Sequence, residues 1–250
     1  MGPNETRENA LRIAWGITGS GCYIRECFEV FHRVKMKYPV KITTFLSRAG
    51  EEVARMYGLA DKLGEISPGG YYEEIVTEDS TGWSCTYSGR FMLRRYDALL
   101  VAPATSNTVA KIVCGIADTI ITTIVSQALK GGMPVFILPS DAVDETTIPC
   151  YINRDVCTQC MDCVGRCPYG AILELDGLPY IDLLRCHGCR ECETFCPVNA
   201  ISCFQRAKIV IRDLDRENIE KLRRMEGIKV IEHPESIEEI VRELLVGGGT

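Results

Sequence analysis

Cys157-Thr-Gln-Cys160-Met-Asp-Cys163-Val-Gly-Arg-Cys167-Pro168 and Cys186-His-Gly-Cys189-Arg-Glu-Cys192-Glu-Thr-Phe-Cys196-Pro197 are one phrase written twice, 29 residues apart. The residues that follow match as well, Gly170-Ala171-Ile172 against Asn199-Ala200-Ile201. Eight of the 14 cysteines fall in these runs. Each run puts three thiols on one tight loop. The fourth, before proline, lies too far along to close on its own loop. Such spacing wraps a [4Fe–4S] cube, with the fourth cysteine serving the other cluster. The expected sets are Cys157, Cys160, Cys163 and Cys196 for cluster one, and Cys186, Cys189, Cys192 and Cys167 for cluster two. Crossing the sets staples a stretch too short to build a large core. Zinc knuckles use paired CxxC units, not a triple run with Cys-Pro in tandem. Disulfide frameworks belong to oxidising compartments, of which the sequence carries no sign.

Outward from the cysteine block the pattern is α/β. Leu11–Ile17 is a short apolar run ending at Thr18-Gly19-Ser20-Gly21. Ile24, Cys27, Phe28, Phe31 and Val34 then recur at helical spacing. Val40–Phe45, Ala98–Ala102 and Pro134–Leu138 read as strands, with helices over 50–57 and roughly 107–130. Residues 64–90 carry no period and read as a long loop. Beyond the block, Lys208–Ile211 and Lys229–Ile231 read as strands, and Arg216–Met225 and Ser236–Leu245 as helices, with Gly247–Thr250 as a frayed tail. Alternation of this kind implies a parallel sheet covered on both faces. The expected organisation is one α/β domain, residues 1–147 and 205–250, interrupted by a ferredoxin-like insert at 148–204 with repeats at 148–177 and 178–204.

The chain is 46% hydrophobic and 25% charged, with a formal net charge of −6. An acidic balance disfavours a nucleic-acid partner. No apolar stretch approaches the ~18 residues of a membrane helix. The amino-terminal residues lack the apolar core of a secretory signal. Cysteines grouped in CxxC units without a signal read as metal ligands in a reducing cytoplasm. Of the other cysteines, Cys150 and Cys203 read as structural, Cys27 and Cys114 as core, and Cys85 as a loop residue remote from chemistry.

Strand, Thr18-Gly19-Ser20-Gly21, helix is an anion-binding arrangement, because first-turn amides lack partners and the helix dipole is positive there. Glycines let a phosphate approach the backbone, and Cys22 is placed to touch a ligand at the turn. The order is not the GxGxxG of a dinucleotide site. After the second strand stand Ser47, which suits a mononucleotide phosphate, and Arg48, which suits the 2′-phosphate of NADP and leaves that cofactor as an alternative. Ala102-Pro103-Ala104-Thr105-Ser106-Asn107-Thr108 leaves a buried strand and opens a helix at the sheet's carboxyl edge.

The run VAPATSNTVAKIVCGIAD, residues 101–118, resembles the flavin signature of the homo-oligomeric flavin-containing cysteine decarboxylase superfamily, and Gly19-Ser20-Gly21 with Ser47 resembles its phosphate site. Tyr96-Asp97-Ala98 and the closing segment Lys229–Val241 are most similar to archaeoflavoproteins. With the two-cluster insert, the chain resembles the dihydromethanopterin reductase (acceptor) group of methanogenic archaea. The resemblance implies a flavodoxin-like, Rossmann-like sheet binding FMN between subunits of a trimer, or of a larger assembly of trimers. It places Gly19, Ser20, Gly21 and Ser47 at the phosphate, and Ala104, Thr105, Ser106 and Asn107 along the ring and ribityl chain; Cys22, Arg48 and Pro103 join them as candidate cofactor contacts by their place in the sequence. Asp118 would support that loop. The decarboxylase branch's catalytic histidine and PxMNxxMW segment are missing: His32, His187 and His233 match no such position. The expected activity is therefore electron transfer from an external donor such as a ferredoxin, through two clusters and FMN, to 7,8-dihydromethanopterin. An electron relay to a partner protein and an NAD(P)H-dependent reductase are the alternatives. Tyr71, Tyr72, Trp83 and Tyr87 are candidates to stack a flat heterocycle.

Overall fold

The computed structural model describes residues 10–82 and 85–247. Trp83 and the tail residues 248–250 lie outside the described residues. In chain order the elements are β1 (Leu11–Ile17), α1 (Ile24–Lys37), β2 (Val40–Leu46), α2 (Arg48–Met56), a 3-10 turn (Ala60–Glu65), β3 (Ile75–Thr77), α3 (Glu78–Thr81), α4 (Ser88–Met92), β4 (Ala98–Ala104), α5 (Ser106–Val113), α6 (Ile120–Lys130), β5 (Val135–Pro139), a second 3-10 turn (Ser140–Ala142) and β6 (Glu145–Thr147). The insert holds β7 (Tyr151–Ile152), β8 (Ile172–Leu175), β9 (Leu178–Ile181), α7 (Glu191–Phe195) and β10 (Ile201–Ser202). The chain closes with β11 (Arg206–Lys208), α8 (Asp213–Arg223), β12 (Ile228–Val230) and α9 (Ser236–Gly247).

Six strands form one parallel sheet in the order β12-β5-β4-β1-β2-β3. All seven residues of β4 are buried, as a strand covered on both faces requires. Trp15, Phe31, Ile42 and Leu100 pack on the face covered by α1 and α9, and Phe45, Leu99, Val101 and Ile121 on the face covered by α6 and α8. Trp15 stacks on Phe31 at 4.2 Å and donates its indole N–H to the Ala102 carbonyl at 2.7 Å, so its polar atom is satisfied inside the core. From β1 the chain winds outward through β2 and β3, then returns to β4 on the other side of β1. The carboxyl ends of β1 and β4 are therefore the switch point where ligands bind in such sheets.

The structure departs from the sequence reading in four places. Residues 64–90 are not one loop. They carry the edge strand β3, three residues long, and two short helices. The helical stretch after β4 is two helices, parted where Gly115 takes φ +71°. The strand expected at 208–211 lies earlier, as β11, and leaves the main sheet to pair antiparallel with β6. That ladder is the stem through which the chain enters and leaves the insert. Finally, Cys150 and Cys203 are joined by a disulfide, and Cys114 is exposed rather than core. Among the described residues no helix is long and apolar enough to cross a membrane.

Candidate functional site

The turn after β1 is tied to the end of β4 by one hydroxyl. Thr18 Oγ1 donates to the Pro103 carbonyl at 2.8 Å and accepts from the Thr105 amide at 2.9 Å. Ala102–Pro103 is a cis peptide. Thr105 caps α5, its hydroxyl accepting from Thr108 N at 3.2 Å. Ser47 caps α2 in the same way through Gly50 N at 3.0 Å. Gly19, Ser20, Ser47, Pro103, Ala104, Thr105, Ser106 and Asn107 thus gather at the carboxyl ends of β1, β2 and β4. Asn107 is exposed, and neither its amide nor the Ser106 hydroxyl makes a hydrogen bond among the described residues. Asp118 receives Lys111 Nζ at 2.8 Å, bracing the loop between α5 and α6.

Two carboxylates already sit on helix N-termini here. Glu78 accepts from Arg48 N and from Ile120 N, both at 3.0 Å, which joins the starts of α2 and α6. Asp141 accepts from Ser106 N at 2.9 Å at the start of α5. Arg48 turns its guanidinium to Asp79 at the surface, 3.1 Å away. A cleft of about 500 Å³ opens beside Glu78, lined by Arg48, Thr81, Cys85, Asp118 and Thr119. Cys85, read as remote, is buried and borders it.

The two outer glycines of the turn are explained by the protein's own packing. A Cβ on Gly19 would lie 2.6 Å from Ala49 Cβ. One on Gly21 would lie 2.6 Å from Tyr57 Cζ, closer still to its hydroxyl, and 2.9 Å from the Thr147 carbonyl oxygen. Cys22 is buried, and its Sγ lies 3.6 Å from the Glu145 carbonyl oxygen. Burial pushes its thiol up to about 12, with Glu26 and Asp141 adding to the effect, so Cys22 stays protonated and is no nucleophile.

In the insert, Cys157, Cys160, Cys163 and Cys196 line one cavity, and Cys167, Cys186, Cys189 and Cys192 line another. Each cavity therefore draws three cysteines from one run and the fourth from the other. Burial raises the thiols of Cys163, Cys186 and Cys192, the last to about 12, and neighbouring thiolates of the same set raise them further. Four thiolates in either space would repel one another without a cationic metal core, so the donor set fits iron–sulfur ligation. His187 stacks on Tyr169 at 4.0 Å and faces Asp61 at 3.8 Å.

The insert docks through the second cysteine run. Gly188, φ +59°, packs so tightly on Met56–Gly58 that an added Cβ would lie 2.6 Å from Gly58 N. Arg55 donates to the Leu184 carbonyl at 2.6 Å. Phe204 stacks on Tyr57 at 5.1 Å, and the Arg25 guanidinium lies over the Phe204 ring at 4.7 Å. Tyr57 donates to the Thr147 carbonyl and abuts Gly21. Tyr57 thus touches the second cysteine loop with its backbone and the turn after β1 with its ring. The loop aromatics expected to stack a ligand are otherwise engaged: the Arg90 guanidinium lies over Tyr71, Tyr72 and Tyr87 at 4.6–5.2 Å.

Sequence reasoning missed Glu78, Asp141 and Tyr57. All three act across long sequence separations, and the one local signal was the acidic pair Glu78-Asp79 after a β-branched run.

Residues 1–149 match the Flavoprotein family, and residues 179–202 a 4Fe-4S binding domain. A dihydromethanopterin reductase (acceptor) of Methanosarcina mazei is 47% identical over 92% of this chain and 98% of its own. One of Methanocaldococcus jannaschii is 42% identical over 91% of this chain and 94% of its own. The crystal structure of Burkholderia xenovorans DmrB with FMN, described as a cubic protein cage for redox transfer, superposes with a TM-score of 0.62 at 22% identity, covering 96% of this chain and 98% of that one.

Proposed function

From the chain's membership of the Flavoprotein family, among relatives called dihydromethanopterin reductase (acceptor), we propose that it reduces 7,8-dihydromethanopterin to the tetrahydro form, drawing electrons from an external donor such as a ferredoxin. The observation that carries this reading is the coexistence, on one chain and in contact, of a flavoprotein sheet and a doubled cysteine run. FMN exchanges single electrons with [4Fe–4S] clusters and delivers two as a hydride.

The residues supply the rest. Cys157, Cys160, Cys163 and Cys196 hold one cluster, and Cys186, Cys189, Cys192 and Cys167 the other. Tyr57, between the loop at Gly188 and the turn at Gly21, makes the second set the one nearer the flavin. The first set is then the entry side; exposure does not choose between the sets, since Cys160 and Cys189 are both exposed. Gly19, Ser20, Gly21, Cys22 and Ser47 surround the phosphate, with the Arg48 backbone beside them. Pro103, Ala104, Thr105, Ser106 and Asn107 line the ribityl chain and ring. The free donors along the ring and ribityl chain, Ser106 and Asn107, are uncharged, and Arg48 turns its guanidinium away to Asp79, so the phosphate rests on the turn's hydroxyls and amides rather than on a cationic clamp. The cleft beside Glu78 has the volume of a small-molecule site and admits the flat acceptor. The superposition on a protein described as a cubic cage supports a multimeric assembly, whose unit we take as the trimer that the resemblance implies. The enzyme works in the cytoplasm.

The test is anaerobic mixing. Protein with reduced clusters and flavin, given 7,8-dihydromethanopterin, should regain the oxidised flavin band and yield the tetrahydro product. Flavin that stays reduced would exclude this acceptor. Rapid bleaching by NADPH without a ferredoxin would favour the pyridine-nucleotide alternative.

A further inference from the structure

We propose that Cys150 and Cys203 are a redox-active pair, a disulfide–dithiol couple exchanging electrons with the cluster held in part by Cys192. The inference rests on the reading that Cys192 belongs to an iron–sulfur set. β7 and β10 pair Ile152 with Ile201 and Tyr151 with Ser202, which brings Cys150 opposite Cys203, and the two sulfurs are bonded. Cys203 Sγ lies 3.9 Å from Cys192 Sγ, and the sulfurs of Cys150, Cys192 and Cys203 all fall within 4.8 Å of one another. Cys150 itself lines the cavity of Cys167, Cys186 and Cys189. No residue stands between the disulfide and the proposed ligand. All three cysteines are buried, at 3%, 9% and 6% exposure for Cys150, Cys192 and Cys203. Thiol–disulfide exchange requires access by an attacking thiolate, so electrons reach this bond through the metal centre rather than through a soluble thiol. In a reducing compartment a disulfide is more often catalytic or redox-sensing than structural.

The Cys150–Cys203 sulfur–sulfur bond breaks, and each sulfur gains one electron and one proton, leaving two thiols. The electrons arrive singly through the centre at Cys192 from a low-potential iron–sulfur protein. The protons come from solvent. Loss of two electrons to the same centre re-forms the bond. The pair is a two-electron reservoir at the base of the insert.

The experiment uses whole protein purified without oxygen, with iron quantified first. Samples as isolated, and after poising with reduced methyl viologen, are quenched in acid, labelled with a maleimide and mapped by mass spectrometry. Cys150 and Cys203 should be unlabelled before poising and labelled after. A reductive titration of Cys150→Ser, at unchanged iron content, should take two electrons fewer per chain than the native protein. Both cysteines labelled at the outset, both unlabelled after poising, or equal electron uptake in variant and native protein would each overturn the proposal. A preparation without iron would overturn the cluster reading beneath it, and the proposal with it.

Discussion

Gly21→Ala separates two accounts of the turn after β1. If the glycine exists to let a phosphate approach, alanine weakens flavin binding and leaves the protein's stability alone. The packing says otherwise. The new methyl group would meet the Tyr57 ring at 2.6 Å and the Thr147 carbonyl at 2.9 Å. Overfilling a tight site costs about 1–3 kcal/mol. Displacing Tyr57 also breaks its hydrogen bond to Thr147, worth about 1 kcal/mol. The sum is about 2–4 kcal/mol, or a fall of roughly 4–16 °C in melting temperature for a chain of this size. The assay is thermal unfolding by circular dichroism, with flavin release followed by fluorescence, in the native and Tyr57→Ala backgrounds. In the second background the methyl group has lost its main clash, so the two substitutions should be strongly coupled. A cost below about 0.5 kcal/mol in the native background, or the same cost in both, would refute the packing argument.

Cys167→Ser should lose cluster two while keeping cluster one, and Cys196→Ser the reverse, as read by iron content and by electron paramagnetic resonance of the surviving centre. Glu78→Ala removes an acceptor shared by the amides of Arg48 and Ile120, and should cost about 1–2 kcal/mol in chemical denaturation, the range of a lost helix cap. Glu238 is held down from its ordinary 4.5 to about 2 by hydrogen bonds from Lys37, Arg33 and Tyr38, which fasten α9 to α1. Its folded value is the lower one, so its contribution is complete above about pH 4.5 and fades as pH falls towards 2. Glu238→Gln should therefore lose stability at neutral pH and show a shallower acid decline over that window in unfolding scans.

Residues with a strong local signature were legible in the sequence. The crossing of the two cysteine runs was readable because a fourth ligand before proline cannot reach its own loop. The buried strands at Ala98–Ala104 and Val135–Pro139 announced themselves as apolar runs, and the face of α1 by its period. Short or edge elements were not legible. Ile75–Thr77 is three residues long and finds its place by pairing with Thr44–Leu46, a contact no local pattern encodes. Asp141 reaches Ser106 across 35 residues, and Tyr57 reaches Thr147 across 90. Gly21 carries a packing constraint that no local pattern encodes. Its constraint comes from a tyrosine on another element. Cys150 and Cys203 were read as structural because neither fits a ligand spacing. Their pairing follows from β7 meeting β10, which depends on the whole insert closing.

The central claim is that one polypeptide carries both a single-electron store and a hydride donor. Its most direct test is the cofactor content of protein purified under strict exclusion of oxygen. The account predicts about eight iron atoms and eight sulfides per chain, together with one FMN. Zinc in the cysteine cavities, or a colourless protein without flavin, would contradict it.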